Sequence, residues 1–108
     1  MVNIGKIELI ENKREQLAKL CKKYDVCELD VFGSIISNDF NEETSDIDFA
    51  VTFDTKSIKN RFDTFFNLRR DLETLFGRPI DLIEPSGLRN PYFISTFNNT
   101  KRVVYVDS

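Results

Sequence analysis

Two short stretches decide how this chain reads: Val31-Phe32-Gly33-Ser34 and, after a polar interval, Ser45-Asp46-Ile47-Asp48-Phe49-Ala50-Val51. In the second, Ile47, Phe49 and Val51 alternate with Asp46, Asp48 and Ala50, the period of a strand with one buried face. Asp46 and Asp48 therefore leave the same face, about 7 Å apart at the backbone. Two carboxylates this close repel each other unless a positive charge neutralises them. Mg²⁺ suits the position, because it prefers a few carboxylates plus the oxygens of a substrate phosphate. The plain alternative is a solvated edge strand whose charges prevent aggregation, although Asp is depleted in strands.

Gly33-Ser34 tips the balance toward a site. A glycine directly after a strand lets the backbone turn sharply and approach a ligand closely. A serine at the next position can cap a short helix whose free N–H groups face a phosphate. The dipeptide alone is equally an ordinary strand-to-helix turn, so its weight comes from the downstream Asp-x-Asp.

Asp81 is the third element, within the apolar run Ile80-Asp81-Leu82-Ile83. An unpartnered carboxylate would be costly to bury there. If its strand lies beside the one carrying Asp46 and Asp48, the three carboxylates can converge on the acidic site of a two-metal phosphoryl or nucleotidyl transfer. A calcium loop beginning at Asp39 is rejected, because Thr44 stands where the loop needs Gly and Ala50 where it needs Glu.

Composition limits the alternatives. The 108 residues suit one domain, spanning 1–108, and 41% hydrophobic with 31% charged residues is the balance of a soluble globular chain. Ten Phe residues are expected to supply most of the core bulk. No apolar run is long enough for a membrane span, and the N-terminus lacks the pattern of a signal peptide, so a cytoplasmic location is expected. There is no His, which removes imidazole metal sites and His bases and leaves the chemistry to carboxylates. Cys21 and Cys27 read as reduced, packed thiols. A net charge of −3 with scattered Lys and Arg argues against direct nucleic-acid binding.

Periodicity predicts a helix over about Lys6 to Tyr24, a strand over Cys27 to Phe32 ended by Gly33, and a possible short helix from Ser34. A strand over Asp46 to Phe53 follows, then a long helix from about Ile58 to Phe76. The apolar stripe of that helix comprises Ile58, Phe62, Phe65, Phe66, Leu72 and Phe76, and Gly77 is its stop. A strand at Ile80 to Ile83, a short helix at Tyr92 to Phe97 and a strand at Val103 to Val106 complete the chain. The predicted class is α+β, a small mixed sheet of about four strands flanked by helices.

Taken together, these residues resemble the minimal nucleotidyltransferases of the DNA polymerase beta superfamily. The resemblance runs from about Val31 to the C-terminus. It rests on Gly33-Ser34, Asp46-x-Asp48 and Asp81, and on the endings Ile80-Asp81-Leu82-Ile83-Glu84-Pro85, Leu88-Arg89-Asn90-Pro91-Tyr92 and Arg102-Val103-Val104-Tyr105-Val106. It implies the polymerase-beta type of nucleotidyltransferase fold. Gly33 and Ser34 would lie near the triphosphate of ATP, and Asp46 and Asp48 would ligate Mg²⁺, with two ions expected. Asp81 would be a third ligand or the base on the acceptor hydroxyl. It further implies a protein adenylyltransferase, an antitoxin that transfers AMP from ATP to a Tyr hydroxyl of a HEPN-type toxin encoded nearby.

The chain departs from that pattern in two places. Ile35-Ile36-Ser37 follows Gly33-Ser34 where members often carry a basic residue, and the eleven residues between Ser34 and Asp46 exceed the common spacing by one. A chain this small has no separate lobe for an elongated acceptor, so a second protein is expected to complete the site, in a homo- or hetero-oligomer. The competing function is a catalytically weak protein of the same fold that neutralises its partner by binding. A phosphate-accepting signalling domain fits poorly, for want of an acidic pair after the first strand and a late Lys.

Overall fold

The sheet is built outward from β1 (Val26–Phe32), which pairs antiparallel with β2 (Ile47–Phe53) on one side and with β4 (Arg102–Val106) on the other. β3 (Ile80–Ile83) adds to the free edge of β2 in parallel, giving the order β3-β2-β1-β4. The computed structural model describes residues 10–33, 46–54, 56 and 60–107, and the account below concerns those.

A parallel pair cannot be joined by a tight turn and needs a crossover, usually a helix. Here α2 (Arg61–Phe76) supplies it between β2 and β3. Asn60 caps its start, accepting from the Asp63 backbone N–H at 3.0 Å. Gly77 ends it in the left-handed region at φ 65°, where a glycine carries no Cβ penalty.

α1 (Arg14–Lys23) and α2 lie on one face of the sheet. Leu17, Cys21, Leu68, Leu72 and Phe76 close there over Leu29, Val31, Ile47, Phe49, Val51, Ile80 and Leu82. On the other face a smaller cluster forms where Phe97 of α3 (Pro91–Thr100) covers Phe32 and Ala50, with Ile83 and Leu88 beside them. A 3-10 turn, Pro85–Gly87, carries the chain from β3 toward α3. Along β2, Ile47, Phe49 and Val51 are fully buried as the sequence predicts, and Ala50 on the opposite face is buried as well.

Several boundaries differ from the sequence reading. The first helix is not continuous from Lys6: a helical turn at Ile10 and Glu11 breaks at Asn12 and Lys13 before α1 begins at Arg14. Lys13 sits at ψ 11° with no side-chain cap, and Asn12 is a poor helix former. Ile10 is buried nonetheless. The long helix starts at Arg61, because Asn60 is extended and spends its side chain on capping. Two members of its predicted apolar stripe, Phe62 and Phe66, are exposed, whereas Leu68 takes a core position. The helix at Tyr92 extends at both ends, from Pro91 to Thr100. The segment from Ser34 to Ser45, with its possible short helix, and Ile58 of the stripe lie outside the described residues.

Both cysteines are free, and burial pushes the Cys21 thiol up to about 12. Among the described residues no helix is long and apolar enough to cross a membrane.

Candidate active site

Asp48 and Asp81 are register partners on the parallel strands β2 and β3. Partners in register put their side chains on the same face, and neighbouring strands lie about 4.8 Å apart. The two carboxylates are therefore brought together by the crossover through α2, although 33 positions separate them in the chain. On the other side of Asp48, its antiparallel partner is Phe32. One row across the sheet thus reads Asp81, Asp48, Phe32, with Gly33 next along the chain.

Gly33 adopts φ 71°, the left-handed region that favours glycine. A Cβ placed there would lie 3.1 Å from the Asp48 Cγ and closer still to its Oδ2. The glycine therefore does two things: it turns the backbone out of β1, and it leaves the space that the Asp48 carboxylate fills. Asp48 is half-buried in this cradle, and Asp81 and Asp46 are exposed. Asp46 precedes the first residue of β2 and sits at the rim of the row rather than within it. Ser34 lies outside the described residues.

α2 fixes the position of β3 at both ends. At its start, the Ile80 N–H donates to the Glu73 carboxylate at 3.2 Å, and the Arg69 Nε donates to the Ile80 carbonyl at 3.2 Å. At its far end, the Arg61 Nε donates to the Glu84 carboxylate at 2.9 Å. The Ile47 N–H also donates to the Pro79 carbonyl at 3.3 Å, tying the entry of β2 to that of β3. These contacts set the register that pairs Asp48 with Asp81.

The donor set suits a hard cation. Carboxylate oxygens, with the remaining positions left to water and substrate phosphates, are what Mg²⁺ takes. Among the described residues no three carboxylates form a ready metal-binding group. The built part of the site is the pair Asp48 and Asp81, with Asp46 close by in the chain.

One acidic residue on this face escaped the sequence reading. Asp30 stands opposite Ala50, on the same side of the sheet as Asp48, and is 1% exposed. Lys101 reaches its Oδ2 at 3.8 Å and the Glu28 Oε2 at 3.5 Å, and the Asp30 Oδ1 has no hydrogen-bond partner among the described residues. Burial, reinforced by the Glu28 carboxylate and partly offset by Lys101, pushes Asp30 up to about 7. The available signal was its parity in β1: Asp30 shares a face with Phe32 rather than with Leu29 and Val31.

The fold matches known proteins. A family model described as polymerase beta, nucleotidyltransferase, matches residues 15–108. A protein of Methanocaldococcus jannaschii named "Putative protein adenylyltransferase MJ0128" is 34% identical over 93 residues, covering 85% of this chain and 88% of that protein. A solved structure described as a "putative minimal nucleotidyltransferase" superposes with a TM-score of 0.69 at 25% identity, over 88% of this chain and 92% of the other. The MNT antitoxin–HEPN toxin complex of Shewanella oneidensis, whose toxin is tri-AMPylated, includes a chain that matches with a TM-score of 0.62 at 14% identity. That match covers 91% of this chain and 73% of the other, and it speaks to the fold alone. The chain belongs to the polymerase beta nucleotidyltransferase family.

Proposed function

We propose that this protein is an Mg²⁺-dependent adenylyltransferase that moves AMP from ATP to a tyrosine hydroxyl of a HEPN-type partner, and so acts as its antitoxin in the cytoplasm. The observation that carries this reading is the row in which Asp48 faces Asp81 across parallel strands while Gly33 makes room for the Asp48 carboxylate. The adenylyltransferase named among its relatives supports the reaction class, and the AMPylated toxin bound to an MNT antitoxin supports the choice of acceptor.

In the reaction the acceptor oxygen attacks the α-phosphorus of ATP, the bond to the β-phosphate bridging oxygen breaks, and pyrophosphate leaves. The hydroxyl proton passes to a carboxylate. Asp81, the exposed member of the facing pair, would either receive it or serve as a third metal ligand. Asp46, Asp48 and Asp81 would hold the metal, with Asp48 set in its cradle by Gly33. Bound Mg²⁺, as one or two ions, would neutralise the triphosphate and the leaving pyrophosphate. Gly33 and Ser34, at the end of β1, would lie along the phosphates. The acceptor arrives on a second protein, and residues 1–108 act as one minimal domain.

The test is incubation with α-labelled ATP and Mg²⁺, with and without the HEPN-type protein encoded nearby. Label should appear on the partner with wild type and vanish with Asp46→Ala/Asp48→Ala. Metal-dependent ATP binding with no label in either case would favour the second reading, a protein that neutralises by binding. The absence of a basic residue in Ile35-Ile36-Ser37 is the feature that favours that alternative. No ATP binding at all would sink the catalytic reading and leave an interaction module on this fold.

A further inference from the structure

Beside the acidic row stands an aromatic surface that the transfer chemistry does not use. Phe93 meets Phe32 edge to face, ring centroids 6.3 Å apart, and Phe97 meets the same ring at 5.3 Å. One turn further on, Lys101 reaches back to Asp30 and Glu28. The first turn of α3 therefore lies at the Phe32 end of β1, the end that carries Gly33, and the helix runs away from it.

Phe32 is the cross-strand partner of Asp48, so the Phe93 ring stands on the order of 10 Å from the Asp48 backbone. That is the span from the metal-bound phosphates of a nucleotide to its base. Phe93 is 43% exposed although packed on Phe32, and Tyr92 before it is 85% exposed. Asn90 holds this turn in place, its side chain accepting from the Tyr92 and Phe93 backbone N–H groups at 2.9 and 3.3 Å. A capped helix turn that offers the open face of Phe93 near an acidic pair, with Tyr92 open beside it in the chain, is suited to a flat π-system.

We propose that Tyr92 and Phe93 form the platform on which the base of the bound nucleotide stacks, and that they carry a substantial part of ATP affinity. This rests on the nucleotide-binding reading of Asp48 and Asp81. Among the described residues the site's own holds are carboxylates and a glycine turn, which grip phosphates and are indifferent to the base. The rings supply contact that inorganic phosphate chains cannot exploit. Stacking of this kind tolerates any base but favours the larger purine face.

The experiment is calorimetric titration of the full chain with Mg²⁺-ATP and, separately, with Mg²⁺ and inorganic tripolyphosphate. Wild type is compared with Tyr92→Ala and Phe93→Leu. The first changes a fully open side chain, and the second keeps an apolar contact on Phe32, so neither need disturb the fold. Each variant should bind ATP about tenfold more weakly while binding tripolyphosphate as wild type does. ATP affinity unchanged in both variants would overturn the platform and leave the acidic site standing. An equal loss of both ligands would also overturn it, since the variants would then act on the phosphate site. Wild type that binds neither compound would overturn the nucleotide reading and the platform with it.

Discussion

Gly33 shows how much one residue can decide. Its φ of 71° and the Asp48 carboxylate against its missing side chain both forbid a substituent. Gly33→Ala is expected to cost about 1–2 kcal/mol in stability, from the left-handed backbone alone. Transfer should fall further, by at least about tenfold, because Asp48 must give way; comparing urea unfolding with labelling rates separates the two effects. Asp30 makes a different prediction. Its folded-state value is raised to about 7, chiefly by burial, so folding favours its protonated form. The stability it contributes is fully present below the ordinary carboxylate range and is lost as pH rises through about 7. Thermal melts should therefore decline from about pH 4 to about pH 7 and level off above it, and Asp30→Asn should flatten that decline. An unchanged slope in the variant would show that Asp30 is charged throughout.

At the scale of elements, α2 sets the geometry of the site by holding β3 at both ends. Its Asn60 cap is expected to be worth about 1 kcal/mol, so Asn60→Ala should lower the urea midpoint by that equivalent without changing the fold. The strands were legible in the sequence because burial on one face imposes strict alternation, and Ile47, Phe49 and Val51 obey it. Helix faces were less legible. Phe62 and Phe66 keep helical spacing with the core residues yet face outward, and their rings pack on each other at 4.7 Å. Periodicity cannot tell a stripe that meets the sheet from one that overhangs it. The start of α2 was misplaced because the repeat runs on to Ile58, while the boundary is set by one side-chain hydrogen bond at Asn60. The pairing of Asp48 with Asp81 was open at the sequence level, since the register of parallel strands is fixed by how the crossover helix packs. Asp30 was passed over because a carboxylate in a strand reads as solvated until its burial and its pairing with Lys101 are seen.

At the scale of the molecule, the two sides of the sheet are unequal. Among the described residues one is closed by α1 and α2 over a continuous core, and the other is covered in part, by α3 over Phe32 and Ala50. The acidic row lies on the partly covered side, at the end from which Gly33 leaves β1. The radius of gyration is 13.4 Å, and the proposed acceptor is carried by a second protein. The account stands or falls on Asp48 and Asp81 acting together, as their register requires, rather than Asp48 acting with Asp46 alone. The direct measurement is metal-dependent ATP binding and AMP transfer by Asp81→Asn beside Asp48→Asn, with wild type as reference. The account predicts that each variant loses transfer by at least about a hundredfold and that Asp48→Asn also loses the Mg²⁺ dependence of ATP binding. Transfer by Asp81→Asn at the wild-type rate would contradict it, because the row across β2 and β3 would then be no part of the site.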